Sequence, residues 1–149
     1  MLASRSFALI LLLVTCLYNL AEATGSQLYC KEKAGIKICV SYRGSSSVSA
    51  LVPEETTAMK IDIFYVCLEN DSPKAFTVTP SDFSCVSMTD EAVTVDEPLH
   101  EKIKWSKKLS RTAVKPGEKI EGYIFCPGTK HPIRSIVYHG ETVIEISLF

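Results

Sequence analysis

The chain has 149 residues, of which 46% are apolar and 22% charged, and its formal net charge is −1. That composition supports a folded domain and excludes a disordered chain, which would be poorer in apolar residues and carry more net charge. The balance of 16 Lys plus Arg against 17 Asp plus Glu also argues against nucleic acid as a partner, because binding to phosphate backbones draws on a strong basic excess.

Residues 1–23 contain the three parts of a cleavable secretory signal. Arg5 lies in a short basic start, an apolar run from Phe7 to Val14 extends to Leu17, and Ala21-Glu22-Ala23 forms a small-x-small cleavage site. The apolar run falls short of the ~20 residues that a membrane-spanning helix needs. Cleavage after Ala23 leaves residues 24–149 as one exported domain of about 126 residues, close to the commonest domain size. Leu13-Val14-Thr15-Cys16 carries an alternative, because it resembles a bacterial lipoprotein box, and a lipid on Cys16 would tether an envelope protein to the membrane. Thr15 departs from that pattern, which wants Gly, Ala or Ser before the cysteine, so the expected product is secreted and lipid-free.

The exported part reads as short strands separated by turn residues. Leu28 to Cys39 alternates around Gly35, and the polar loop Gly44-Ser45-Ser46-Ser47 follows. Met59 to Leu68 is rich in β-branched and aromatic residues and ends at the turn cluster Glu69-Asn70-Asp71-Ser72-Pro73. Ala75–Thr79 and Phe83–Met88 are further strands. Residues 96–112, with Lys102, Lys104, Lys107, Lys108 and Arg111 around Trp105, read as a loop or one helical turn. Pro116-Gly117 turns into the strand Glu118–Cys126, and Ile133–Tyr138 and Thr142–Leu148 flank a hairpin turn at His139-Gly140-Glu141. Seven or eight strands at regular spacing predict an antiparallel two-sheet β-sandwich.

Export makes disulfides the default state of Cys30, Cys39, Cys67, Cys85 and Cys126, although five cysteines leave one over. Cys30 and Cys39, nine residues apart in one strand-turn-strand stretch, are expected to be bridged. No metal site is expected, since there is no CxxC pair and His100, His131 and His139 lie at no ligand spacing from a cysteine. No Gly-x-Ser-x-Gly elbow or phosphate-cradling glycine loop is present, and Asp82, Asp90, Glu91, Asp96 and Glu97 are scattered over turns. The expectation is a chain without catalytic residues or cofactor, with its histidines exposed or capping strand ends.

Two segments remain as candidate sites. Lys102, Lys104, Trp105, Lys107 and Lys108 combine positive charge with one large ring, a composition suited to an acidic protein, a polyanionic cell-surface polymer or an anionic headgroup. Asn70-Asp71-Ser72 fits a glycosylation acceptor, although Pro73 weakens it and Asn70 also suits a turn.

The order Leu68-Glu69-Asn70, Ser81-Asp82-Phe83, Pro116-Gly117-Glu118, Gly122, Phe125, Pro127 and Ile136-Val137-Tyr138 resembles the immunoglobulin-like domains of unknown function found on exported proteins and lipoproteins of bacteria and archaea. The resemblance covers about residues 57–149 and implies an immunoglobulin-like sandwich in an envelope or secreted setting, with no catalytic residue. It also implies that Met59–Leu68 and Glu118–Cys126 are sheet neighbours. Phe64, Val66 and Leu68 share one face and leave Cys67 on the other beside Tyr65, while Ile124 and Cys126 share a face opposite Tyr123 and Phe125. On that neighbour relation the second bridge is expected between Cys67 and Cys126, with Cys85 left as a buried thiol. A secreted lipid-binding sandwich of the MD-2-related type is the alternative, although its cysteine spacing and late proline motifs are not evident.

Overall fold

A computed structural model describes residues 27–56 and 59–149. The signal segment, its cleavage site and Cys16 lie outside the described residues. β1 (Tyr29–Lys33) and β2 (Ile36–Ser47) form a hairpin about Ala34 and Gly35, which both have positive φ (53° and 77°), as a two-residue turn between twisted strands requires. β3 (Lys60–Asn70) pairs with β2 on one side and with β8 (Lys119–Pro127) on the other, giving a sheet in the order β1-β2-β3-β8. β5 (Phe83–Ser87), β6 (Ala92–Thr94), β9 (Ile133–His139) and β10 (Val143–Ser147) form the second sheet, in the order β10-β9-β5-β6. β4 (Phe76–Val78) and β7 (Thr112–Val114) make a separate antiparallel pair.

The described residues thus hold ten strands where the sequence suggests seven or eight. The excess comes from pieces such as β6 and β7, which are three residues long and too short to show an alternating pattern.

Between the sheets, Ile36, Ile38 and Val40 of β2 and Phe64, Val66 and Leu68 of β3 meet Phe83, Ile136, Tyr138 and Ile144 of the opposite sheet. The outer face of the first sheet carries a second apolar cluster. There Ile61, Ile63 and Phe125 lie beneath α1 (Val48–Leu51), Val52 and Ile103. β3 is therefore covered on both faces over its first half.

The structure joins Cys30 to Cys39, which are register partners on β1 and β2, with Cα atoms 4.0 Å apart. The expected Cys67–Cys126 bridge does not form: Cys126 is bonded to Cys85, with Cα atoms 6.1 Å apart, and among the described residues Cys67, not Cys85, is the free cysteine. β3 and β8 do pair, but Cys67 lies opposite Glu121 and Cys126 opposite Asp62, five residues away along β3 or roughly 16 Å at the strand rise. The faces differ as well. Cys126 points into the core, where Cys85 meets it from the other sheet, whereas Cys67 points outward.

Asn70 also departs from one of its two readings. It is fully buried, its amide nitrogen donates to the Lys74 and Val114 carbonyls (2.8 and 3.1 Å), and its Oδ1 accepts from the Ser72 amide (2.9 Å). The folded chain leaves no space for a glycan there, so Asn70 is a turn anchor and the glycosylation reading is corrected.

Residues 107–109 run along the free edge of β8. The Leu109 amide donates to the Tyr123 carbonyl and the Tyr123 amide to the Lys107 carbonyl, both at 2.9 Å, which makes a parallel bridge between Lys108 and Tyr123. Gly122 permits this approach, since a Cβ there would lie 2.7 Å from the Leu109 Cα.

Two outcomes follow from this packing. Replacing Cys85 and Cys126 together by Ala removes a cross-link spanning 41 residues and should cost about 3 to 4 kcal/mol in urea unfolding; a cost below about 1 kcal/mol would contradict the inter-sheet bridge. Gly122→Ala should lower stability by about 1 to 3 kcal/mol, because Leu109 must be pushed off β8. An unchanged unfolding curve for that variant would show that the segment is not seated there.

A basic, aromatic groove on the outer sheet face

The groove begins with a helix. Asp96 accepts a hydrogen bond from the Leu99 amide (3.0 Å) and Pro98 occupies the first turn, so the chain winds into α2 (Glu97–Lys102). Leu99 and Ile103, one helical turn apart, pack on the outer cluster of the first sheet. His100 is drawn in with them: it is 4% exposed and lies 5.3 Å, centre to centre, from the Phe125 ring. The expectation of an exposed or capping histidine is thus corrected for His100, while His131 and His139 are exposed.

The His100 ring is oriented by the segment lying along β8. Its Nε2 is 2.7 Å from the Leu109 carbonyl, which can only accept, so Nε2–H is the donor and a neutral ring keeps its free lone pair on Nδ1. Burial holds the pKa of His100 below the ordinary histidine value, with the Leu109 carbonyl acting in the opposite direction. Nδ1 is buried and has no hydrogen-bond partner among the described residues. Lys108 donates to the carbonyls of His100 and Glu101 (2.9 and 3.0 Å), closing the helix at the end where a cation is favoured.

Between α2 and the 105–111 segment lies a cavity of about 500 Å³. Glu97, His100 and Glu101 line its helix side, and Trp105, Lys107 and Arg111 line the other. Glu97 is engaged by the Ser81 hydroxyl (2.8 Å). Lys107 has φ 59°, a left-handed conformation uncommon for a residue with a side chain.

Trp105 makes edge contacts with Tyr123 and Phe125 at 5.9 and 6.0 Å and is 38% exposed. From Tyr123 the row continues to Tyr65 (5.8 Å), and the Arg43 guanidinium lies 5.3 Å from the Tyr65 ring centre. Tyr65 donates its hydroxyl proton to Glu121; this bond, burial and the carboxylate charge push its pKa up to about 12.

Of the five residues marked in the sequence, Trp105, Lys107 and Lys108 line the groove. Lys102 pairs instead with Glu55 (3.2 Å), and Lys104 is exposed and is not among the lining residues. His100 was missed as a groove residue. Its signal was present in Asp96-Glu97-Pro98, a helix start, followed by Leu99 and Ile103 at helical spacing.

A second cavity, of about 490 Å³, opens at one end of the sandwich. Tyr29, Phe64, Ile133 and Leu148 give it apolar walls, and Asp62 sits at its edge, paired with Lys60 (3.3 Å) and accepting from Tyr42 (3.3 Å). Among the described residues no helix is long and apolar enough to cross a membrane.

The chain matches no protein-family model, and no curated protein matches its sequence. Its structure is similar to the yjhA protein of Bacillus subtilis, with a TM-score of 0.53 and 13% identity over 76% of this chain and 82% of that one. It is also similar to MPT63, a secreted protein of Mycobacterium tuberculosis, with a TM-score of 0.52 and 12% identity over 78% and 87% of the two chains. A third likeness is to ycdA, a lipoprotein candidate of Bacillus subtilis, with a TM-score of 0.55 and 15% identity; it covers 81% of this chain and 39% of the longer one. At such identities the likeness speaks for the fold, and together with the sheet order it makes this chain an all-β, immunoglobulin-like antiparallel sandwich.

Proposed function

We propose that this chain is a secreted or envelope-attached binding module without catalytic activity, and that the groove between α2 and residues 105–111 receives an acidic protein or an anionic cell-surface polymer. The observation that carries the reading is the placement of Lys107 and Arg111 beside the partly exposed Trp105, along a cavity that His100 also lines. A ring that is one-third open and two cations on a single wall supply stacking area and charge to a partner with acidic groups. The row Trp105–Tyr123–Tyr65 extends the same surface across the sheet. Two disulfides among the described residues fit an oxidising compartment, and a secreted protein and a lipoprotein candidate share the fold.

The lipid-binding alternative draws on the apolar cavity at the sandwich end. It is the weaker reading because the space between the sheets is occupied by Phe64, Phe83, Ile136 and Tyr138 and crossed by the Cys85–Cys126 bridge.

The test is a titration with two polyanions, heparin and poly-glutamate, followed by the Trp105 indole and backbone amide resonances at low salt. At least one should shift residues 100–111. Lys107→Glu combined with Arg111→Glu should weaken that binding at least about tenfold, as expected when two charges of a contact patch are reversed, with no change in melting temperature. Failure of both polyanions to bind, or equal binding by the double variant, would overturn the proposal.

A further inference from the structure

Three of the five cysteines among the described residues stand in one row across the first sheet. Cys30 on β1 is the register partner of Cys39 on β2, and Cys39 is in turn the register partner of Cys67 on β3. Register partners on antiparallel strands point to the same face, with Cα atoms about 4.5 to 5.5 Å apart, inside the range that a disulfide spans. Cys39 therefore has a bonded cysteine on one side and a free thiol at bridging range on the other. Cys30 is two strand spacings from Cys67, or about 10 Å, so Cys39 is the sulfur within reach.

The three sulfurs differ in access. Cys67 and Cys39 are 7% and 6% exposed, whereas Cys30 is exposed on β1, the edge strand. Cys30 also lines a surface cavity of about 380 Å³ between β1 and β10, bordered by Lys31 and Glu145.

We propose that Cys67 shifts the bridge along this row by internal thiol–disulfide exchange, making Cys30 a site at which a low-molecular-weight disulfide is captured. In the first step the Cys67 thiolate attacks the Sγ of Cys39. A Cys39–Cys67 bond forms, the Cys30–Cys39 bond breaks, and Cys30 leaves as a thiolate. The row favours this direction of attack, because the nucleophile and the leaving sulfur lie on opposite sides of Cys39. No oxidant is consumed, since one disulfide and one thiol are present before and after. In the second step the Cys30 thiolate attacks a small disulfide, forms a mixed disulfide and releases one small thiolate, which takes up a proton.

Groups around Cys67 set the pace of the first step. Burial holds its thiol above the ordinary cysteine value; Lys119 pulls the other way by charge and hydrogen bond, and Glu69 and Glu121 oppose Lys119. The thiol is therefore largely protonated at neutral pH, and the exchange accelerates as pH rises.

The test uses the chain with both disulfides formed, incubated with excess oxidised glutathione at pH 8, quenched in acid and mapped by mass spectrometry without reduction. The expected product carries glutathione on Cys30 with a Cys39–Cys67 bridge, and retains Cys85–Cys126. Cys67→Ser, or Cys67→Ala if the serine variant melts early, should keep Cys30–Cys39 and take up at least tenfold less glutathione. Glutathione on Cys67 with Cys30–Cys39 intact, no adduct in the unmodified chain, or equal labelling of the Cys67 variant would each overturn the proposal.

Discussion

The pairing of β3 with β8 assigns each side chain of both strands to one of two faces, because side chains alternate along a strand and register partners point the same way. Phe64, Val66 and Leu68 face inward with Ile120, Ile124 and Cys126, while Ile63, Tyr65 and Cys67 face outward with Phe125, Tyr123 and Glu121. A slip of β3 by one residue would carry Glu69 toward the core and expel Phe64, and a slip of β8 would do the same with Glu121 and Ile124; the burial of Phe64 or of Ile124 contributes on the order of 1.5 to 3 kcal/mol. The register is therefore held by the core, and everything built on the outer face inherits its position from it.

Along β3 the outer face changes character at every second residue. Ile61 and Ile63 lie under the helices, Tyr65 belongs to the ring row, Cys67 to the cysteine row, and Glu69 pairs with Lys119 (3.8 Å). The groove is anchored to the apolar end of this series. His100 and Trp105 rest on Phe125, and Leu109 both fixes the His100 ring and hydrogen-bonds to β8. Burying an outer cluster at one end of the sheet thus places a cationic, aromatic segment at a fixed position, while the other end stays open to solvent.

The strands were legible where they are long. Met59–Leu68 and Glu118–Cys126 carry enough alternation and β-branched residues to be read as strands; the resemblance implied that they are neighbours, and the structure pairs them. What alternation could not supply was the partner of Cys126, because a bridge between sheets depends on which faces meet across the core. Cys85 shares its face with Phe83, and that face points at Cys126; this is a tertiary fact with no local signal. The groove was legible in part. Charge and a lone tryptophan marked Trp105, Lys107 and Lys108, but His100 needed the helix 97–102 to be recognised from its cap and proline, in a stretch whose lysines hid the apolar pair Leu99 and Ile103.

The seating of residues 107–109 along β8 shapes the groove, sets the His100 tautomer and requires a glycine at position 122. Amide hydrogen exchange measures it directly. The Leu109 and Tyr123 amides, which bond across this edge, should be protected at least about a hundredfold over an unstructured chain, as amides that exchange only on local opening are. Exchange of both amides at the unstructured rate, while those of β3 remain protected, would contradict it.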